Sequence, residues 1–147
     1  MSYPFRLPQT PVPYLTDRAE LYCTAINCVD GRAQLPVIDY VRSRFGAQFV
    51  DVVTEPGPAQ LLAVRRDRRA AKLLVERAAF TVKAHDSIGI AVAAHYDCAA
   101  TMADDDTQRY HVRRAVNFLA KRFNHVPIVG LWLDDGWCVS EVCSEER

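Results

Sequence analysis

Two short clusters carry the residue types that could do chemistry: Cys28, Asp30 and Arg32 in the segment CVDGR, and His95 and Cys98 in HYDC. Two thiolates and one imidazole form a donor set that Zn²⁺ accepts, and three protein ligands leave a fourth position for water or substrate. Zinc lowers the pKa of bound water to about 7, which generates hydroxide at neutral pH. Such a hydroxide attacks an electrophilic carbon. Asp30 and Arg32 stand two residues apart and can form a charge-assisted pair in which the guanidinium orients the carboxylate. Asp30 would then accept a proton or hydrogen bond from the bound water, or itself take the fourth position. Each cluster alone has an ordinary structural explanation. Cys is often a small buried hydrophobe, and the Asp of a C-x-D-x-R turn can simply cap a helix. Their joint placement is what favours a site.

That placement depends on the elements around them. The stretch Glu20 to Asn27 is apolar and rich in β-formers and runs straight into CVDGR, as a strand does into a turn. Leu35, Ile38, Val41 and Phe45 share a helical spacing that Gly46 stops. Gln48 to Val53 reads as a second strand, followed by the loop TEPGP. Leu73, Leu74, Ala78 and Val82 mark a helix from about Arg68 to Lys83. Ser87 to Ala94 is an almost continuous apolar run, as in a strand covered on both faces, and it leads into HYDC. The acidic turn Asp104–Asp106 suits the entrance of a helix carrying Val112, Val116, Leu119, Ala120 and Phe123. Pro127 to Leu133 is a fourth strand, and the turn signal Asp135-Gly136 makes Trp137 to Val142 its antiparallel partner.

Strands alternating with helices predict an α/β fold, a mostly parallel central sheet of about four strands with an antiparallel C-terminal edge strand, flanked by helices. In such sheets ligands bind beyond the carboxyl ends of the strands where strand order reverses. If the first and third strands are neighbours there, CVDGR and HYDC meet in one crevice.

The paired motifs resemble those of β-class carbonic anhydrases: CVDGR matches their C-x-D-x-R, and HYDC their H-x-x-C, with Asp97 as in the H-x-D-C version. The resemblance runs from about Glu20 to Val142. It implies that Cys28, His95 and Cys98 are zinc ligands, that Asp30 and Arg32 are the catalytic dyad, and that the reaction is reversible hydration of CO2 to bicarbonate. It also implies a homodimer or higher homo-oligomer. Two segments depart from the family pattern. Ala99-Ala100 stand where Gly-Gly or Gly and a small residue usually follow the second motif, and TEPGP replaces an Arg-Asn-Ala-Gly stretch. Prolines remove N–H donors there, and Glu55 is expected to bring a carboxylate near the site. Carbonyl sulfide or carbon disulfide hydrolysis, or a zinc module without turnover, are alternatives built on the same fold. A thiol-redox protein is disfavoured because no C-x-x-C occurs.

The remaining features set limits. With 147 residues the chain has the size of one domain. Residues 19–147 are read as a single zinc domain preceded by an extended arm, 1–18, whose first fifteen residues hold four prolines. Eighteen basic and eighteen acidic residues balance, so a nucleic-acid partner is not expected. The run Arg65, Arg66, Arg68 and Arg69 reads as a solvated helix face rather than a phosphate-binding patch. No segment has the apolar length of a membrane span, and the N-terminus does not read as a secretory signal, so a cytoplasmic location is expected. Five cysteines, an odd number, favour reduced thiols. Cys23 reads as packing, and Cys138 and Cys143 as opposite faces of the last strand. His85, His111 and His125 read as structural or surface histidines, and Trp132 and Trp137 as core or interface. Asp104–Asp106 lacks calcium-loop spacing.

Overall fold

The computed structural model describes residues 20–146; the proline-rich arm lies outside them. In chain order the elements are β1 (Tyr22–Asn27), α1 (Gly31–Phe45), β2 (Phe49–Thr54), α2 (Pro58–Val64), α3 (Arg68–His85), β3 (Ile90–His95), α4 (Asp105–Ala120), β4 (Ile128–Leu133) and β5 (Val139–Glu145). The sheet order is β2-β1-β3-β4-β5. The first four strands are parallel, and β5 pairs antiparallel with β4 along the edge. This is the expected α/β architecture. No helix among the described residues is long and apolar enough to cross a membrane.

The chain leaves β1 through α1 towards β2, then crosses back through α2 and α3 to place β3 on the other side of β1. Right-handed crossovers require those two connections to lie on opposite faces of the sheet, and the core divides accordingly. Ala33, Val37 and Val41 of α1 pack with Cys23, Ala25, Ala91, Ala93, Val129 and Leu131 on one face. Residues of α2, α3 and α4, including Leu62, Leu74 and Val116, cover Ile26, Val92 and Ile128 on the other. All six positions of β3 and of β4 are buried, which explains their continuous apolar runs. Gly130 lets α4 approach the sheet closely, since a Cβ there would meet Val112 Cγ1 at 2.5 Å.

Three local expectations change. Helix α1 starts at Gly31, four residues before the apolar stripe, because Asp30 caps it by accepting from Arg32 N–H, and Pro36 sits inside it. The TEPGP segment is less loop than expected: Pro58 opens α2, the first-turn position where its fixed φ and missing N–H cost nothing. Strand β5 begins at Val139, so Cys138 lies in the turn and does not share a strand with Cys143.

Candidate metal centre

Strand order reverses between β1 and β3, and that switch point gathers the two clusters. The ladder joins Thr24 to Ile90 and Ile26 to Val92, which brings Cys28, just past the end of β1, to within one residue of the level of His95, the last residue of β3. Cys98 follows in the loop. The ligating atoms of Cys28, His95 and Cys98 lie within 4.8 Å of one another, and all three residues are buried. The two sulfurs are 4.0 Å apart, in hydrogen-bonding contact and not joined in a disulfide. Tetrahedral zinc with Zn–S bonds of about 2.3 Å holds two thiolates about 3.8 Å apart, so little movement is needed.

His95 is oriented for the same task. Its Nδ1 donates to the Tyr96 carbonyl at 2.7 Å, which leaves Nε2 as the free acceptor, the usual arrangement of a metal-ligating histidine. Nε2 is buried and makes no hydrogen bond of good geometry; its polar neighbours are the Cys28 sulfur and the Asp30 carboxylate. An orphaned polar atom of this kind is costly, and here it faces two sulfurs. The donor set, the sulfur spacing and the orphaned nitrogen together fit a bound zinc ion.

Electrostatics separate the two thiols. A hydrogen bond with Cys98 lowers the pKa of Cys28 most; His95 and the backbone N–H groups of Gly57 and Asp30 lower it further, overcoming burial. Cys98 is pushed up, first by the same hydrogen bond to Cys28 and then by burial. At His95 burial works against the charged form, but the Cys28 sulfur, the Tyr96 carbonyl and Asp30 together raise its pKa.

Asp30 and Arg32 do form the expected pair. Arg32 Nε and Nη2 donate to the Asp30 carboxylate at 3.1 and 2.8 Å, the fork geometry that makes such pairs strong. This bond chiefly holds the Asp30 carboxyl down at about 2. Asp30 Oδ2 lies 4.0 Å from His95 Nε2. The guanidinium is held from behind as well: Asp97 accepts from Nη1 at 3.4 Å, and the Trp137 ring lies 4.6 Å from it.

Several contributors escaped the sequence reading. Trp137, taken for core or interface, is half-buried with a φ of 61°, and its ring also lies 5.6 Å from that of His95. Asp134, whose side chain accepts from the N–H groups of Gly136 and Cys138, sets the turn that delivers it. Gln34 Nε2 donates to the carbonyls of Cys28 and Asp30, bracing the CVDGR turn. His111, read as structural or surface, is buried, as is Gln108, which the sequence reading passed over; both line a cavity of about 10 Å³ beside the ligands, with Gly57, Gln60, Ala94 and Thr101. The signal was present, because Gln108 and His111 fall on the same i, i+3, i+4 face as Val112, Ala115 and Leu119.

Glu55 does not approach the site as expected; it pairs with Arg77 of α3 at 3.6 Å, and it is Gly57 of the same loop that reaches Cys28. Nor do Ala99 and Ala100 strain the backbone. The positive φ in that segment belongs to Asp97, at 54°. His85 pairs with Asp51, and His125 is exposed. Cys23 is fully buried, and burial pushes its thiol up to about 12, as packing requires.

Residues 18–143 match the family model described as putative carbonic anhydrase. The chain belongs to that family. Among solved structures it is similar to the protein described in "Crystal structures of two tetrameric beta-carbonic anhydrases from the filamentous ascomycete Sordaria macrospora", with a TM-score of 0.58 and 12% identity over 86% of this chain and 83% of that one. At that identity the likeness is one of fold. No curated protein matches it in sequence.

Proposed function

We propose that the chain catalyses the reversible hydration of CO2 to bicarbonate and a proton, with Cys28, His95 and Cys98 holding Zn²⁺. The observation that carries this reading is the buried, unpartnered Nε2 of His95, turned towards two sulfurs and 4.0 Å from the Asp30 carboxylate. Bound there, zinc would supply a hydroxide nucleophile near neutral pH, by lowering the pKa of water to about 7.

The chain's own residues do the rest. The Tyr96 carbonyl fixes the His95 tautomer. Arg32 keeps Asp30 ionised, so Oδ2 can only accept a hydrogen bond and orients a donor beside the ligands. Trp137 and Asp97 restrain the guanidinium so that the carboxylate does not swing. The neighbouring cavity, about 10 Å³, has room for roughly one water molecule, which suits a substrate of a few atoms and excludes bulky ones. By analogy with the tetrameric relatives, the chain assembles as a homo-oligomer.

Metal analysis followed by stopped-flow CO2 hydration tests the proposal. About one zinc per chain and rapid acidification are expected, with Asp30→Ala retaining metal and losing most of the rate. A fully zinc-loaded chain without CO2 turnover would sink it. The altered TEPGP loop, which lines the cavity through Gly57 and Pro58, favours one second reading, hydrolysis of carbonyl sulfide, which sulfide release would reveal.

A further inference from the structure

The basic run at residues 65–69 does not form a single solvated helix face. Arg65 ends α2 as its C-cap, whereas α3 begins at Arg68 behind the Asp67 cap. The fold then brings this run against a second basic segment, Arg114 in α4 with Lys121 and Arg122 just past its end. A groove of about 620 Å³ between α3 and α4 is lined by Arg65, Arg68, Lys72 and Arg122. A shallower hollow of about 260 Å³, sharing Arg65 and Phe118 with it, adds Arg114 and Lys121. Neither shares a residue with the cavity beside the metal centre.

Six cations face these hollows against one carboxylate, Glu76, and Lys72 already pairs with that carboxylate at 3.6 Å. Among the described residues, Arg65, Arg68, Arg114, Lys121 and Arg122 form no ion pair. In a chain of zero formal net charge, this is a strong local concentration of one sign.

The guanidiniums are also placed in advance by contacts that leave their charge uncompensated. Arg65 and Arg122 flank one ring, with their guanidinium carbons 4.5 and 3.8 Å from the centroid of Phe118. Arg65 Nη1 donates to the Leu62 carbonyl, and Arg122 Nη1 to that of Phe118. Arg65 holds a φ of 52° at a helix terminus where glycine is the usual occupant, so a large cation stands in a strained position.

We propose that this groove binds a compact, phosphate-bearing polyanion. Guanidinium forks match phosphate oxygens in pairs, and the combined hollows are of small-ligand size. The confinement of the charge to one short groove argues against an extended nucleic-acid backbone, which needs a long basic face.

The test is calorimetric titration of the full chain with inorganic tripolyphosphate at low salt, with amide shift mapping. Saturable binding is expected, with shifts confined to residues around Arg65 and Phe118. Arg65→Gln combined with Arg122→Gln should weaken it at least about tenfold, the loss of one or more charge-assisted hydrogen bonds. Should that pair disturb folding, Arg68→Gln with Lys121→Gln, both exposed, should weaken binding in the same direction. Arg69→Gln, outside the groove, should change affinity less than about twofold. Four results would overturn the proposal: no saturable binding, an equal loss with Arg69→Gln, shifts centred on Cys28 and His95 instead, or tighter binding of a single-stranded oligonucleotide. None of these depends on carbonic anhydrase activity, so the groove and the metal centre stand or fall separately.

Discussion

Replacing His95 by Phe should leave the metal-free chain nearly as stable as the unsubstituted one while removing most of its stabilisation by zinc. Phe keeps a buried ring of similar size. It loses the Nδ1 bond to the Tyr96 carbonyl, worth about 1 kcal/mol, but also abolishes the orphaned Nε2, whose burial costs about 1–3 kcal/mol. Without metal the two terms nearly offset, and the variant should fall within about 2 kcal/mol of the parent. With free zinc buffered at about a thousand times the dissociation constant, the parent gains about 4 kcal/mol. In a domain of this size that raises the melting temperature by about 8–16 °C. Losing one of three ligands should weaken the site by more than the about 10–100-fold that changes behind the ligands produce. A thousandfold weaker site gains only about 0.4 kcal/mol at the same zinc concentration. Melting curves followed by circular dichroism in chelator and in buffered zinc measure both quantities, with His125→Ala as a surface control. A His95→Phe chain that keeps the parent's zinc shift would refute the assignment of His95, and a parent with no shift would refute the metal centre.

Two further outcomes follow from the same geometry. Arg32→Gln should raise the Asp30 pKa from about 2 towards its ordinary 3.8; because the paired carboxylate has the depressed value, its stabilisation is present above the ordinary value and lost as pH falls through the folded one. Carboxyl NMR titration reads the midpoint, and an unmoved midpoint would show that Arg32 is not the cause. Gly57→Ala should destabilise the chain by about 1–2 kcal/mol in urea denaturation, since φ is +55° and left-handed backbone costs that much for alanine. The added Cβ would also sit 3.1 Å from Ala100 Cβ, so Ala100→Gly should recover only the contact part of the loss, and full recovery would show that φ plays no role.

Strands β1, β3 and β4 were legible because burial on both faces writes itself as apolar runs, and the two motifs were legible because they directly follow two of those runs. Other features depend on partners distant in the chain. Pro58 was read as a breaker although it also suits a helix start, and only the packing of Leu62 and Ala63 in the core tells the two apart. Glu55 looked like a site carboxylate because it lies close in sequence to a strand end, but Arg77, a full helix later, claims it. Trp137 reaches Arg32 through a left-handed turn residue, a conformation that aromatic side chains rarely adopt, so no local rule would have placed it. The basic run at 65–69 acquires its meaning only when α4 is laid beside it.

The departures from the family pattern are compensated rather than independent. The close approach of the two loops needs one small residue: Ala100 carries a Cβ, and Gly57 opposite has none. The same glycine offers its N–H to Cys28, so the loop keeps a donor on the thiolate although prolines flank it on both sides. The positions of the candidate ligands Cys28 and His95 are set by the ends of β1 and β3, whose buried cores tolerate little change. The surrounding cavity is set by α2 and α4 through Gly57, Gln60, Gln108 and His111, which the ligands do not constrain. A chain built this way can keep its metal centre while its pocket is rebuilt, so substitutions at Gln108 or His111 should alter turnover or substrate choice without releasing metal.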